Sequence, residues 1–136
     1  MISRPLALAL RTAGLRWKPE SGDRFSIQGA ELSGDVFTLS DMTIEAHSYP
    51  TGTILGFNGT TEWALDSVAI EDALWLPRED QLRELLGGTF RGLRPDGEGY
   101  VVDIAFRGKE LSYSSPSAAD AYAEALLTLV AASSPD

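Results

Sequence analysis

Between two turn clusters, Pro95-Asp96-Gly97-Glu98-Gly99 and Arg107-Gly108-Lys109, apolar residues recur at every second position: Tyr100, Val102, Ile104 and Phe106. Two is the side-chain period of a strand, so the run predicts the middle strand of a three-strand meander, with Phe90 and Leu93 before it and Leu111 and Tyr113 after it. One face of such a sheet is apolar and must be covered. The chain supplies a cover at once, because Tyr122, Leu126, Leu129 and Val130 stand at i, i+4, i+7 and i+8 of a helix that starts near Ser115-Pro116-Ser117. Ser117 and Asp120 have the spacing of a capping box.

The first half repeats the same vocabulary. Leu6, Leu10 and Ala13 recur at helical spacing and Gly14 supplies a stop, which predicts an amphipathic helix over residues 4 to 14 that lies on a sheet. The turn-rich connector Lys18 to Asp23 leads to Phe25 and Ile27, a first strand. Phe37 and Leu39, then Met42, Ile44 and Ala46, alternate across Ser40-Asp41 as two further strands or one bent one. Tyr49-Pro50-Thr51-Gly52 is a turn, and Ile54 to Phe57 runs into Asn58-Gly59. That dipeptide accepts the positive φ of a type I′ turn, so a hairpin returning through Thr60 to Leu65 is preferred to a helix starting at Thr61. Trp75 and Leu76 anchor a helix over residues 77 to 87, with Pro77 at its first position, Glu79 and Asp80 in its first turn and Gly87-Gly88 beyond.

The order is helix, four or five strands, helix, three strands, helix, without repeats or a low-complexity linker. That order predicts the α+β class: a single domain over residues 1 to 132, mainly antiparallel sheet with N-terminal, central and C-terminal helices packed on it. Residues 133 to 136 form a short loose tail. A chain of 136 residues buries roughly two-thirds of its unfolded surface and needs no metal or disulfide to fold.

Composition removes whole classes of function. Cysteine is absent, which excludes disulfide frameworks, thiolate zinc sites, iron–sulfur ligation and cysteine nucleophiles. Eleven basic residues against twenty acidic ones give a net charge of −9, the wrong sign for gripping nucleic-acid phosphates or anionic lipid. Nucleic acid and membrane are therefore not expected partners. The apolar stretch Leu6 to Leu10 is too short, and Arg11 and Arg16 follow it too closely, for a signal peptide; the expected location is the cytoplasm. Without secretion, Asn58-Gly59-Thr60 is a turn rather than a glycosylation acceptor.

Motifs for catalysis are scarce. Gly97-Glu98-Gly99 lacks the third glycine of a dinucleotide fingerprint, Gly108-Lys109 lacks the upstream glycine of a P-loop, and no serine sits in a nucleophile elbow. No cofactor is implied. The single histidine, His47, shares a strand face with Glu45, and in the hairpin reading Glu62 and Asp66 fall on the polar face of a nearby strand. Three carboxylates and an imidazole are ligand types for a hard or borderline divalent cation, or groups for acid–base work. The other reading of the same four residues is an ordinary solvated face of a half-buried sheet. Trp17, Trp63 and Trp75 read as core or helix-docking residues, with a Trp–Glu–Trp pocket wall around Glu62 as the alternative.

Charge is unevenly distributed. Residues 1 to 24 carry +3 and residues 76 to 109 balance at six of each sign, whereas residues 25 to 75 hold no basic residue and eight acids: Glu31, Asp35, Asp41, Glu45, Glu62, Asp66, Glu71 and Asp72. Evenly spread basic residues would place about four in that stretch. An acidic sheet region of this kind suits a basic partner, and it equally keeps exposed strands from pairing.

Three stretches, Ser21-Gly22-Asp23-Arg24-Phe25, Phe57 to Ser67 (FNGTTEWALDS) and Ala73 to Leu82 (ALWLPREDQL), together resemble small uncharacterised bacterial proteins of actinobacterial type, some labelled pilus assembly protein. The resemblance spans nearly the whole chain and implies no catalytic residues. No Gly-x-x-x-x-Gly-Lys-Ser/Thr occurs, so the label implies no ATP binding here. The C-terminal strand pair and alanine-rich helix also resemble small phage-type sandwich domains, a likeness of fold alone. Two functions follow as expectations. The preferred one is a non-enzymatic binding or adaptor module whose acidic region meets a basic protein. The alternative is a small-ligand or metal-dependent enzyme using Glu45, His47, Glu62 and Asp66. Oligomeric state has no signature in the sequence.

Overall fold

A computed structural model describes residues 1–27, 36–39, 44–49, 52–57, 67–69 and 73–133. Its elements follow one another as α1 (Arg4–Ala13), β1 (Arg24–Ile27), β2 (Val36–Thr38), β3 (Ile44–Tyr49), β4 (Gly52–Phe57), β5 (Ser67–Ala69), β6 (Ala73–Trp75), α2 (Glu79–Leu86), β7 (Phe90–Asp96), β8 (Gly99–Phe106), β9 (Lys109–Ser115) and α3 (Ala118–Ser133). The class is α+β, with N-terminal, central and C-terminal helices and antiparallel three-stranded sheets. Six strands, not four or five, are described between α1 and α2. Two compact units emerge: Met1–Arg16 with Pro77–Asp136, and Trp17–Leu76.

In the first unit the meander forms as its alternation requires, with strand order β7-β8-β9. Arg107 and Gly108 both have positive φ (52° and 79°), the signature of a type I′ turn between β8 and β9. Gly99 has a different reason to be glycine: a Cβ there would stand 2.6 Å from the Ser115 carbonyl oxygen. Val102 and Ile104 are fully buried beneath α3. That helix packs on β8 and β9, and α1 and α2 pack on α3 in turn. The expectation that α1 lies on a sheet thus gives way to helix-on-helix packing. The reason is visible in α3, where Ala119, Ala121, Tyr122, Ala123, Ala125 and Leu126 are all buried, a band wider than one stripe. A helix buried around most of its girth has neighbours on several sides. Leu129 and Val130, expected in the stripe, are half-buried.

Helix ends show what local spacing cannot decide. Pro77 precedes α2 rather than opening it, because Arg78 is the N-cap and its backbone N–H donates to Gln81 Oε1 (2.9 Å). At α3 the Ser117 hydroxyl accepts from the Asp120 N–H (3.4 Å), half of a capping box. The other half is missing, since the Asp120 carboxylate accepts instead from the backbone N–H of Ser3 (2.7 Å) and ties α1 to α3. Ser133, expected in the tail, belongs to α3, and residues 134–136 lie outside the described ones.

The second unit holds two sheets, ordered β2-β1-β6 and β3-β4-β5. Phe25 on β1 pairs directly with Phe37 on β2 and Trp75 on β6. Trp17 adds to this aromatic row, stacked on Trp75 (centroids 6.4 Å apart, 9° between planes) and 5.5 Å from Phe25. Asp23 secures the arrangement from below: it is 2% exposed and its carboxylate accepts from Trp17 Nε1 (2.8 Å) and the Glu20 N–H (3.0 Å). A buried carboxylate survives through such charge-assisted bonds. The core reading of Trp17 and Trp75 holds. Trp63 lies outside the described residues, as do Met42, Asn58-Gly59-Thr60 and the preferred return strand through Leu65.

Candidate functional site

Alternation along β3 puts Glu45 and His47 on one face of the β3-β4-β5 sheet, opposite Gly56 and Ile54, whose next neighbours are Ser67 and Ala69. Ile44, Ala46, Leu55, Phe57 and Val68 share the other face. Tyr49 pairs with Gly52 across β3 and β4, and Pro50 and Thr51 of the expected turn lie outside the described residues. Glu62 and Asp66, the other members of the four-residue cluster, lie outside the described residues. Among the described residues, no three His, Asp or Glu side chains are gathered closely enough to hold a metal ion.

Residue charge divides along the same line as the two units. The unit Trp17–Leu76 carries two basic residues (Lys18 and Arg24) against ten acids, a net −8. The other unit carries nine basic against ten acidic residues, a net −1. Almost all of the molecule's excess charge thus belongs to its smaller part.

One groove was not anticipated from sequence. Glu79, Asp80, Arg83, Glu84 and Gly87 of the α2 region and Tyr122 of α3 line an open depression of about 580 Å³. In the sequence these acids signal only the start of a helix, and nothing local announces that Tyr122 comes beside them. The chemistry of the groove is quiet. The Arg78 guanidinium, 3.1 Å from Asp80, holds that carboxyl below its usual range. Burial pushes the Tyr122 phenol above its usual value. Neither group is thereby poised to exchange protons near neutrality. Arg83 lies over the Phe90 ring (4.7 Å), which packs in turn on Tyr122 (5.8 Å).

A second polar group crosses the meander. Asp103 on β8 accepts from Arg94 Nε on β7 (2.9 Å) and from the Ser112 hydroxyl on β9 (2.6 Å), and these bonds hold its carboxyl below the ordinary range. It pins three strands together at the surface and offers no nucleophile.

No helix among the described residues is long and apolar enough to cross a membrane. No protein-family model, curated protein or solved structure matches the chain.

Proposed function

We propose that this chain is a non-enzymatic binding or adaptor module whose acidic region, residues 25 to 75, recognises a basic protein surface. The observation that carries the reading is the coincidence of charge with architecture: the unit Trp17–Leu76 holds −8 while the helix-covered meander holds −1. Fields of one sign steer encounter and select partners of the other sign. Self-repulsion of so many like charges destabilises the unit that carries them, a cost that recognition of a basic partner would offset.

The test uses the full chain as bait in host lysate, with stepwise salt elution, followed by titration of the purified captured protein. Contact through surface charge weakens as salt shortens the screening length. Combined Glu45→Lys and Glu62→Lys substitutions are expected to weaken a specific basic partner by at least about tenfold, or 1.4 kcal/mol. Unchanged affinity would reject this reading.

The second reading keeps Glu45, His47, Glu62 and Asp66 as a small-ligand or metal site, supported by Glu45 and His47 sharing a sheet face. A folded His47→Ala variant that binds divalent metal as the wild type does removes it.

A further inference from the structure

The two edges of the β7-β8-β9 sheet are built differently. Counting from the two-residue turn at Gly97-Glu98, hydrogen-bonded pairs fall at Asp96/Gly99 and Arg94/Val101, so the backbone groups of Leu93 and Pro95 point outward from β7. That edge is blunted twice, by a proline that has no N–H to offer and by a register shift between Phe90 and Gly92. On the other side, the turn at Arg107-Gly108 makes Phe106/Lys109, Ile104/Leu111 and Val102/Tyr113 the hydrogen-bonded pairs. The outward groups of β9 belong to Glu110, Ser112 and Ser114, all three exposed. Among the described residues none pairs with them. β9 has neither proline nor bulge, and its neighbours in register run unbroken over seven residues.

We propose that β9 pairs antiparallel with β9 of a second copy of this chain, about a two-fold axis through Ser112, to give a continuous six-stranded sheet. This is the one two-fold register that pairs all seven residues of the strand. It opposes Leu111 to the partner's Tyr113 on the half-buried face, an aliphatic–aromatic pair of the kind that stabilises sheets. Its charges fit as well: Glu110 meets the partner's Ser114 and Lys109 meets the partner's Ser115, so no charge faces its own sign. The unit that joins carries only −1 of the chain's net −9.

The flank of α3 beside this edge supports the same occupant. Thr128 is bonded to the Tyr113 hydroxyl (2.7 Å), which places it near the axis. Glu124 and Ala131 continue its line at helical spacing, half-buried and exposed. Two-fold symmetry runs the two α3 helices antiparallel, so Glu124 approaches the small C-terminal residues of the partner's helix rather than its own counterpart.

The experiment is sedimentation equilibrium of the full chain at ~0.15 M salt, where charge repulsion is screened beyond about 8 Å. The wild type is expected to be a dimer. Ser114→Pro removes an N–H that the monomer does not use, and is expected to weaken the dimer at least about tenfold, whereas Leu93→Pro on the blunted edge leaves it unchanged. Ser114→Glu, which keeps the backbone intact, sets like charge against the partner's Glu110 and is expected to dissociate the dimer; adding Glu110→Lys to that variant restores it. A wild type that remains monomeric, or a dimer indifferent to both Ser114 variants, overturns the proposal. So does a foreign basic peptide, rather than a second copy, occupying β9.

Discussion

The unit built from the meander and its three helices is near neutral and takes its stability from a layered core, whereas the unit Trp17–Leu76 is strongly acidic and centres on a row of aromatic rings. All three tryptophans belong to the second unit, and all the described α-helices to the first. Uncompensated charge opposes compactness, so a chain that concentrates it in one part keeps its remaining part free to be stable. The two units thus differ in net charge as well as in architecture.

The largest expected effects come from the two cores, and they are separable by probe. Phe25→Ala removes a fully buried ring from the aromatic row and is expected to cost about 3–5 kcal/mol, read by tryptophan fluorescence. Leu82→Ala opens a cavity under α2 and is expected to cost about 2–5 kcal/mol, read by helical circular dichroism. Each variant should move its own unit's signal most. If both probes shift together in both variants, the chain unfolds as one cooperative domain and the comparison fails.

A smaller effect sharpens the picture of the scaffold. Gly99→Ala drives a methyl group against the Ser115 carbonyl and is expected to cost about 1–3 kcal/mol, because the obstacle is backbone and cannot step aside. The helical transition should fall while the tryptophan transition holds. Equal stability of the variant would show that β8 and β9 can shift there.

The smallest effect is electrostatic. Asp103 has a lowered carboxyl pKa in the folded chain, from the Arg94 and Ser112 hydrogen bonds, so its stabilisation is present above the unfolded value and is lost as pH falls through the folded one. Asp103→Asn should therefore lower stability slightly at neutral pH, leave it unchanged once the wild-type carboxyl is protonated, and flatten the acid limb of a stability profile. High salt should shrink the difference, since the pair is at the surface. An acid limb identical to the wild type would remove Asp103 from the account.

Legibility followed the range of the interactions. The meander was written in the alternation of Tyr100, Val102, Ile104 and Phe106, and α1, α2 and α3 in their apolar spacing, because hydrogen bonds along a helix or across a tight hairpin join near neighbours. β6 was missed, as Ala73–Trp75 is three residues long and too short to show a period; it is a strand because β1, far earlier in the chain, pairs with it. Of the candidate site, the register assigns Glu45 and His47 to alternate positions of β3, and Glu62 and Asp66 lie outside the described residues. The groove at Tyr122 had no local signal at all.

The amino-acid sequence by itself determined the α+β class, the elements of the second half and the concentration of negative charge between residues 25 and 75, each a property of composition or of a short period. Tertiary structure alone decided that α1 packs on α3, that Asp120 binds Ser3 instead of closing its own capping box, that charge divides with the two units, and that the register is broken along β7 but unbroken along β9. The physical reason is common to all four. A side chain's spacing says which face it occupies, but its partner is chosen by whatever distant segment the folded chain brings within hydrogen-bond or van der Waals reach.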